Sequence, residues 1–215
     1  GNIILADEIN RAPAKTQAAL FEVMEERKVD IDGQTYLMEP LYTIIATQNP
    51  IEQEGTYRLP EAQLDRFLMK ITMGYPSAEE EEEILKRHQE APNFTQLGTI
   101  EPVLRADDVV RMRSLLEKVI VDRSLLRYIV GIVQLTRRAK SIYLGASPRA
   151  SVALLRSAKA MALLDGRDFV TPDDVKRVAP AVLAHRLVLT AEAEMEGYTP
   201  EKIVQRILEQ VEVPK

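Results

Sequence analysis

The sequence predicts an α/β fold, a parallel sheet with helices and a β-hairpin, followed by an all-α helical domain. Three observations carry this expectation. Ile3-Ile4-Leu5-Ala6 and Thr43-Ile44-Ile45-Ala46-Thr47 are unbroken apolar or β-branched runs, the pattern of strands covered on both faces. Asp32-Gly33 separates two alternating segments, Lys28 to Ile31 and Gln34 to Leu37, and both turn positions favour positive φ, as a two-residue hairpin turn requires. After Tyr75-Pro76 the apolar period becomes helical and stays so.

The Ile3 run has no lead-in. A central strand needs neighbours, so the sequence is expected to be a fragment of a longer chain. From Pro13 to about Glu26, Ala19, Leu20, Val23 and Met24 recur at helical spacing. A short helix is expected near Pro60 to Phe67, and a strand from Leu68 to Met73. Ser77 with Glu80 makes a capping box, so the five-glutamate run reads as the solvated start of a helix whose far end carries Lys86 and Arg87, as the helix dipole favours. Further helices are predicted at Ala106 to Val119, Asp122 to Lys140, Ser147 to Leu164, Thr171 to Leu187 and Thr199 to Val211. Thr171-Pro172 and Thr199-Pro200 each pair an N-cap with proline in the first turn. The domain boundary is expected between about Gly74 and Asn93, dividing the chain into residues 1–76 and 77–215.

Composition narrows the function classes. With 33 acidic against 28 basic residues the net charge is -5, which offers no electrostatic footprint for a phosphate backbone, so nucleic acid is not the expected partner. The chain has no cysteine and two histidines, which excludes disulfides and thiolate or imidazole metal clusters. No apolar run is long enough to cross a bilayer and no signal-peptide order is present, so a soluble cytoplasmic protein is expected. The methionines read as core filler, and Arg137-Arg138 and His185-Arg186 as helix-end charges.

Four segments carry candidate chemistry. Asp7-Glu8 ends the first strand, at the edge of an open α/β sheet where ligands bind. One carboxylate there can hold Mg²⁺ through waters and phosphate oxygens, and a second can polarise an attacking water, which assigns Asp7 to the metal and Glu8 to the water. Gln48-Asn49-Pro50 ends the second strand at the same edge, where an uncharged amide can orient that water; a plain turn is the competing reading of Asn-Pro. Arg66, in Leu64-Asp65-Arg66-Phe67, is either a surface ion pair, with Asp65 as a neighbouring partner, or an arginine that stabilises a transferring phosphoryl group. Arg149 lies in the first turn of the helix capped by Ser147, where the dipole disfavours a cation; a bound phosphate would explain it.

In order and spacing, Asp7-Glu8-Ile9-Asn10-Arg11-Ala12-Pro13, Ala46-Thr47-Gln48-Asn49-Pro50, Leu64-Asp65-Arg66-Phe67 and Gly145-Ala146-Ser147-Pro148-Arg149 resemble the MoxR family of AAA+ ATPases. The resemblance covers essentially the whole chain. It implies the C-terminal part of a AAA+ P-loop core followed by a helical lid domain. Asp7 and Glu8 become Walker B, with Asp7 on Mg²⁺. Asn49 becomes sensor 1, Arg66 an arginine finger reaching a neighbouring subunit, and Arg149 the sensor 2 contact to the subunit's own ATP. The Asp32-Gly33 hairpin becomes the pre-sensor-1 hairpin, facing the ring pore. Activity then requires a ring, typically a hexamer, and the family implies a protein client and a von Willebrand factor A domain partner.

The sequence departs from that family at one point: it contains no Gly-x-x-x-x-Gly-Lys-Ser/Thr loop to cradle the β- and γ-phosphates. These residues alone are therefore expected to bind ATP weakly or not at all, with a gap, a rearranged sheet or pairing between chains at exposed strand edges. Magnesium-chelatase ATPase subunits and replicative helicases share the motifs. A non-catalytic interaction module with the same fold is the alternative from another class, and competent residues at all four chemical positions argue against it.

Overall fold

The structure is a computed structural model that describes residues 2–49, 59–90 and 101–214. The first region holds β1 (Ile3–Ala6), α1 (Ala14–Glu26), β2 (Lys28–Ile31), β3 (Gln34–Leu37), β4 (Thr43–Ala46) and the single turn α2 (Glu61–Leu64). Then come α3 (Ala78–Glu90), α4 (Ala106–Leu115), α5 (Arg123–Thr136), β5 (Ile142–Leu144), α6 (Pro148–Leu164), α7 (Pro172–Leu183), β6 (Val188–Leu189), α8 (Ala191–Met195) and α9 (Pro200–Gln210).

β1 and β4 pair in parallel, Ile3 opposite Thr43 through Ala6 opposite Ala46, so both strands end at the same edge. β2 and β3 form the expected antiparallel hairpin, with Asp32 at φ 51° and Gly33 at φ 79° in the turn. Both values lie in the left-handed region that a primed turn needs. α1 stops at Arg27, whose φ of 51° makes a left-handed cap with its N–H on the Val23 carbonyl. Ile9, Phe21 and Leu59 form a small core here, and Phe67 meets Phe21 edge to face with centroids 6.0 Å apart. Among the described residues little else covers the sheet: Ile3, Leu5 and Ile45 are half or more exposed.

The second core is larger and joins α5, α6, α7 and α9 through Ile132, Leu154, Leu183, Val175 and Val204, each nearly or wholly buried. The capping read from sequence is present. Ser77 and Glu80 exchange hydrogen bonds, Thr171 and Asp174 form a capping box, and Thr199 accepts from the Lys202 N–H. A feature not expected among these helices is the antiparallel pair β5 and β6. Both segments are too short for a period to show in sequence. Gly145, just after β5, packs so closely that a Cβ would lie 2.7 Å from the Thr136 carbonyl oxygen. That contact sets the path of the chain into Ser147 and Arg149.

The strand expected at Leu68 to Met73 does not form; residues 69–77 have no regular structure, and no strand lies beside them among the described residues. A strand exists only where a ladder partner satisfies its backbone. In its place, the Lys70 N–H donates to the Ala181 carbonyl at 2.8 Å, so this segment docks on α7.

Candidate functional site

At the shared edge of β1 and β4 three of the expected residues meet. The Thr47 hydroxyl donates to Asp7 Oδ1 at 2.5 Å and accepts from the Glu8 N–H at 2.8 Å, so one threonine orients both acidic residues. Asn49 Nδ2 donates to Glu8 Oε1 at 3.3 Å, and Arg11 pairs with Glu8 Oε2 at 3.0 Å. Asn10 Nδ2 donates to the Asn49 carbonyl at 3.1 Å, tying the two strand ends together a second time. Glu8 itself sits at φ 47°, ψ 50°, a left-handed conformation that a non-glycine residue adopts at a cost of about 1–3 kcal/mol. Such strain turns its side chain back toward Asn49. Asp7 is exposed, as a carboxylate that meets a solvated cation must be.

The two arginines lie together elsewhere. Arg66 Nη1 pairs with Glu25 Oε2 and donates to the Phe21 carbonyl at 3.4 Å; Arg149 Nη2 pairs with Glu25 Oε1 at 2.6 Å. Each oxygen of one carboxylate thus takes one arginine. The anion suggested by a cation in the first turn of α6 is, within this chain, the Glu25 carboxylate. Arg66 does not pair with its neighbour Asp65.

Asp65 is engaged by Arg186, whose side chain is 2 % exposed. Arg186 Nε donates to Asp65 Oδ1 at 2.9 Å, Nη1 to the Leu68 carbonyl at 3.2 Å and to the Val182 carbonyl, and Nη2 to the Asp65 and Phe67 carbonyls at 3.2 and 2.5 Å. The Ser147 hydroxyl adds a bond to Asp65 Oδ2 at 2.7 Å. This is the chief correction to the sequence reading, in which Arg186 was a helix-end charge. Burial pulls its pKa below the usual value, and the Asp65 carboxylate opposes that shift.

His185 completes the junction, with Nε2 3.2 Å from the Phe67 carbonyl. Its pKa is lowered from 6.5 to about 4, by burial first and by the Arg186 and Lys70 charges, with the Phe67 carbonyl partly opposing. The folded state therefore resists the proton: His185 leaves stability intact above about pH 6.5 and erodes it as pH falls from there toward 4. His185→Gln, which keeps a donor to Phe67 but cannot titrate, is expected to flatten that part of a melting temperature against pH curve. Parallel curves for the two proteins would show that His185 does not report the acid response.

Sequence reasoning missed Thr47, Glu25 and Arg186. An acid in the last turn of a helix, where the dipole disfavours it, was the one available signal for Glu25. Arg186 had a signal too, since it follows Val182 by four residues on the apolar face of α7 and its continuation. Pro50 and residues 51–58 lie outside the described residues.

Among the described residues no group of three or more His, Cys, Asp or Glu could hold a metal ion by itself, and no helix is long and apolar enough to cross a membrane. Comparison with known proteins gives the lineage. The profile of the ATPase family associated with various cellular activities (AAA) matches residues 1–69, and the profile of the AAA lid domain matches residues 134–207. The whole chain aligns with the uncharacterised protein YeaC of Bacillus subtilis at 49 % identity, covering 66 % of that protein. It aligns with the chaperone MoxR1 of Mycobacterium tuberculosis at 45 % identity, covering 58 % of it. A crystal structure of a protein from Cytophaga hutchinsonii superposes with a TM-score of 0.91 at 43 % identity, over the whole chain and 67 % of that protein. The chain thus spans about three fifths to two thirds of the length of these relatives. With the ATPase profile over its first third, the lid profile over its helices, and MoxR relatives aligned from end to end, the chain belongs to the MoxR-type AAA+ ATPases.

Proposed function

We propose that this chain forms part of a ring ATPase of MoxR type that hydrolyses ATP to remodel protein clients. Residues 1–76 are the C-terminal part of its ATPase core and residues 77–215 its lid. The observation that carries the reading is the hydrogen-bonded group of Asp7, Glu8 and Asn49 at one sheet edge, since hydrolysis of a triphosphate needs a cation site, a base and a water-orienting group within reach of each other. Asp7, exposed and steered by Thr47, fits a magnesium ion that keeps several waters and takes its other ligands from phosphate. Bound there, Mg²⁺ would neutralise charge on the β- and γ-phosphates. Glu8 takes a proton from the attacking water while Asn49 holds that water in line. Arg66 reaches the triphosphate of the adjoining subunit, so an active ring, a hexamer by family precedent, has its sites at subunit junctions. Lacking a phosphate-cradling loop, residues 1–215 alone bind ATP weakly or not at all. A von Willebrand factor A domain protein is the proposed partner, and the cytoplasm the proposed location.

The test mixes full-length subunits carrying Glu8→Gln with subunits carrying Arg66→Ala. Each homogeneous ring is expected to retain only residual turnover. Mixed rings regain turnover at junctions where an intact Glu8 faces an intact Arg66. No recovery on mixing, or near-wild-type turnover in either parent ring, would remove the shared site.

The resemblance assigns Arg149 to the subunit's own nucleotide. The Glu25 bridge favours a second placement, with Arg149 beside Arg66 on the neighbour's nucleotide. Rings mixed from Arg66→Ala and Arg149→Ala subunits separate the two. With Arg149 serving its own site, the mixture restores complete junctions; with both arginines serving the neighbour, every junction stays one arginine short.

A further inference from the structure

We infer that Glu25 is a positioning residue for hydrolysis: its carboxylate holds Arg66 and Arg149 as one cationic unit aimed at the triphosphate. The inference rests on the shared-site reading above. Two charges that local electrostatics disfavours meet here. Glu25 lies in the last turn of α1, where the helix presents partial negative charge, and Arg149 in the first turn of α6, where it presents partial positive charge. Neither helix gains by its own charge; Glu25 is compensated by both arginines, and Arg149 by Glu25.

The geometry is divided evenly. Oε1 of Glu25 takes Arg149 Nη2 at 2.6 Å, and Oε2 takes Arg66 Nη1. Without the carboxylate, two guanidinium groups this close would repel and swing into solvent, since the side chains of Arg66 and Arg149 remain 31 % and 53 % exposed. With it, the unit keeps a net positive charge and several unused donors, which suits a phosphoryl group. Glu25 is itself 43 % exposed, so its place is not explained by core packing.

Full-length rings provide the test. Glu25→Ala is expected to lower kcat by roughly ten- to a hundredfold, the range for a catalytic group displaced by about an ångström, with KM changed less than about twofold. Glu25→Asp, which keeps the charge on a shorter stem, should retain more activity than Glu25→Gln, which keeps the shape without it. In an Arg66→Ala/Arg149→Ala background, Glu25→Ala should lower the residual turnover by less than about twofold more, because the residue acts through those two arginines. Melting temperatures should match wild type. Arg66→Ala measured alongside is the control: if it leaves hydrolysis intact, the shared site itself fails. If it slows hydrolysis while Glu25→Ala does not, only the positioning role falls. Equal activity of the Gln and Asp variants, or additive losses when Glu25→Ala joins the two arginine substitutions, would also overturn that role.

Discussion

With Glu8 as the proposed base, Glu8→Gln in the full-length protein is expected to slow ATP hydrolysis by roughly 10²–10⁴-fold, the usual contribution of a positioned general base, while nucleotide still binds. Glutamine is nearly isosteric and keeps an oxygen for the Asn49 Nδ2, which reaches Glu8 Oε1 at 3.3 Å. What is lost is the ability to accept a proton from water, together with the partly exposed ion pair to Arg11. The backbone here is strained, with Glu8 at φ 47° and its N–H committed to Thr47, so the side chain has little freedom to move a substitute into place. Steady-state turnover together with binding of a non-hydrolysable analogue would check both halves of the expectation. Turnover within a few-fold of wild type would place the base elsewhere.

Arg186→Leu is the second. A leucine fills part of the volume but leaves the Asp65 carboxylate, 17 % exposed, without its ion pair, and strips donors from four carbonyls. Breaking one partner of a buried pair costs roughly 3–5 kcal/mol, because the remaining charge stays desolvated. A lid of this size should then melt about 10 °C lower. Arg186→Lys should recover only part of the loss, since one ammonium cannot span the positions that a planar fork reaches. Hydrolysis should fall as well, through Arg66, which immediately follows Asp65. Unchanged melting of the full-length Arg186→Leu protein would mean that the network contributes nothing net.

What could be read from residues alone was what depends on neighbours in sequence. The Asp32-Gly33 turn, the Ser77 and Thr171 caps and the two apolar strands are local decisions and appear where expected, but the strands are not covered on both faces, with Ile3, Leu5 and Ile45 half or more exposed. Asp7, Glu8 and Asn49 were legible because a parallel pair of strands must end on one side, which makes a tertiary contact a matter of topology. Arg186 and Glu25 depend on which helix faces which, and charge carries no periodic signal of its partner. The segment after Phe67 misled for the same reason: its β-branched and apolar residues suit a strand, yet its backbone bonds go to α7.

The segment from Asp65 to Lys70 is gripped unequally on its two sides. Toward α1 it offers the edge-to-face contact of Phe67 on Phe21 and, from Arg66, a partly exposed ion pair with Glu25 and a 3.4 Å bond to the Phe21 carbonyl. Toward α7 and the turn after it, directional bonds to Arg186, His185 and Ala181 hold it. Partly exposed pairs of this kind contribute little, so a shear between the two cores is expected to yield first on the α1 side. On the proposed function, rotation of the helices would carry the Arg66 backbone with them and draw its side chain away from Glu25.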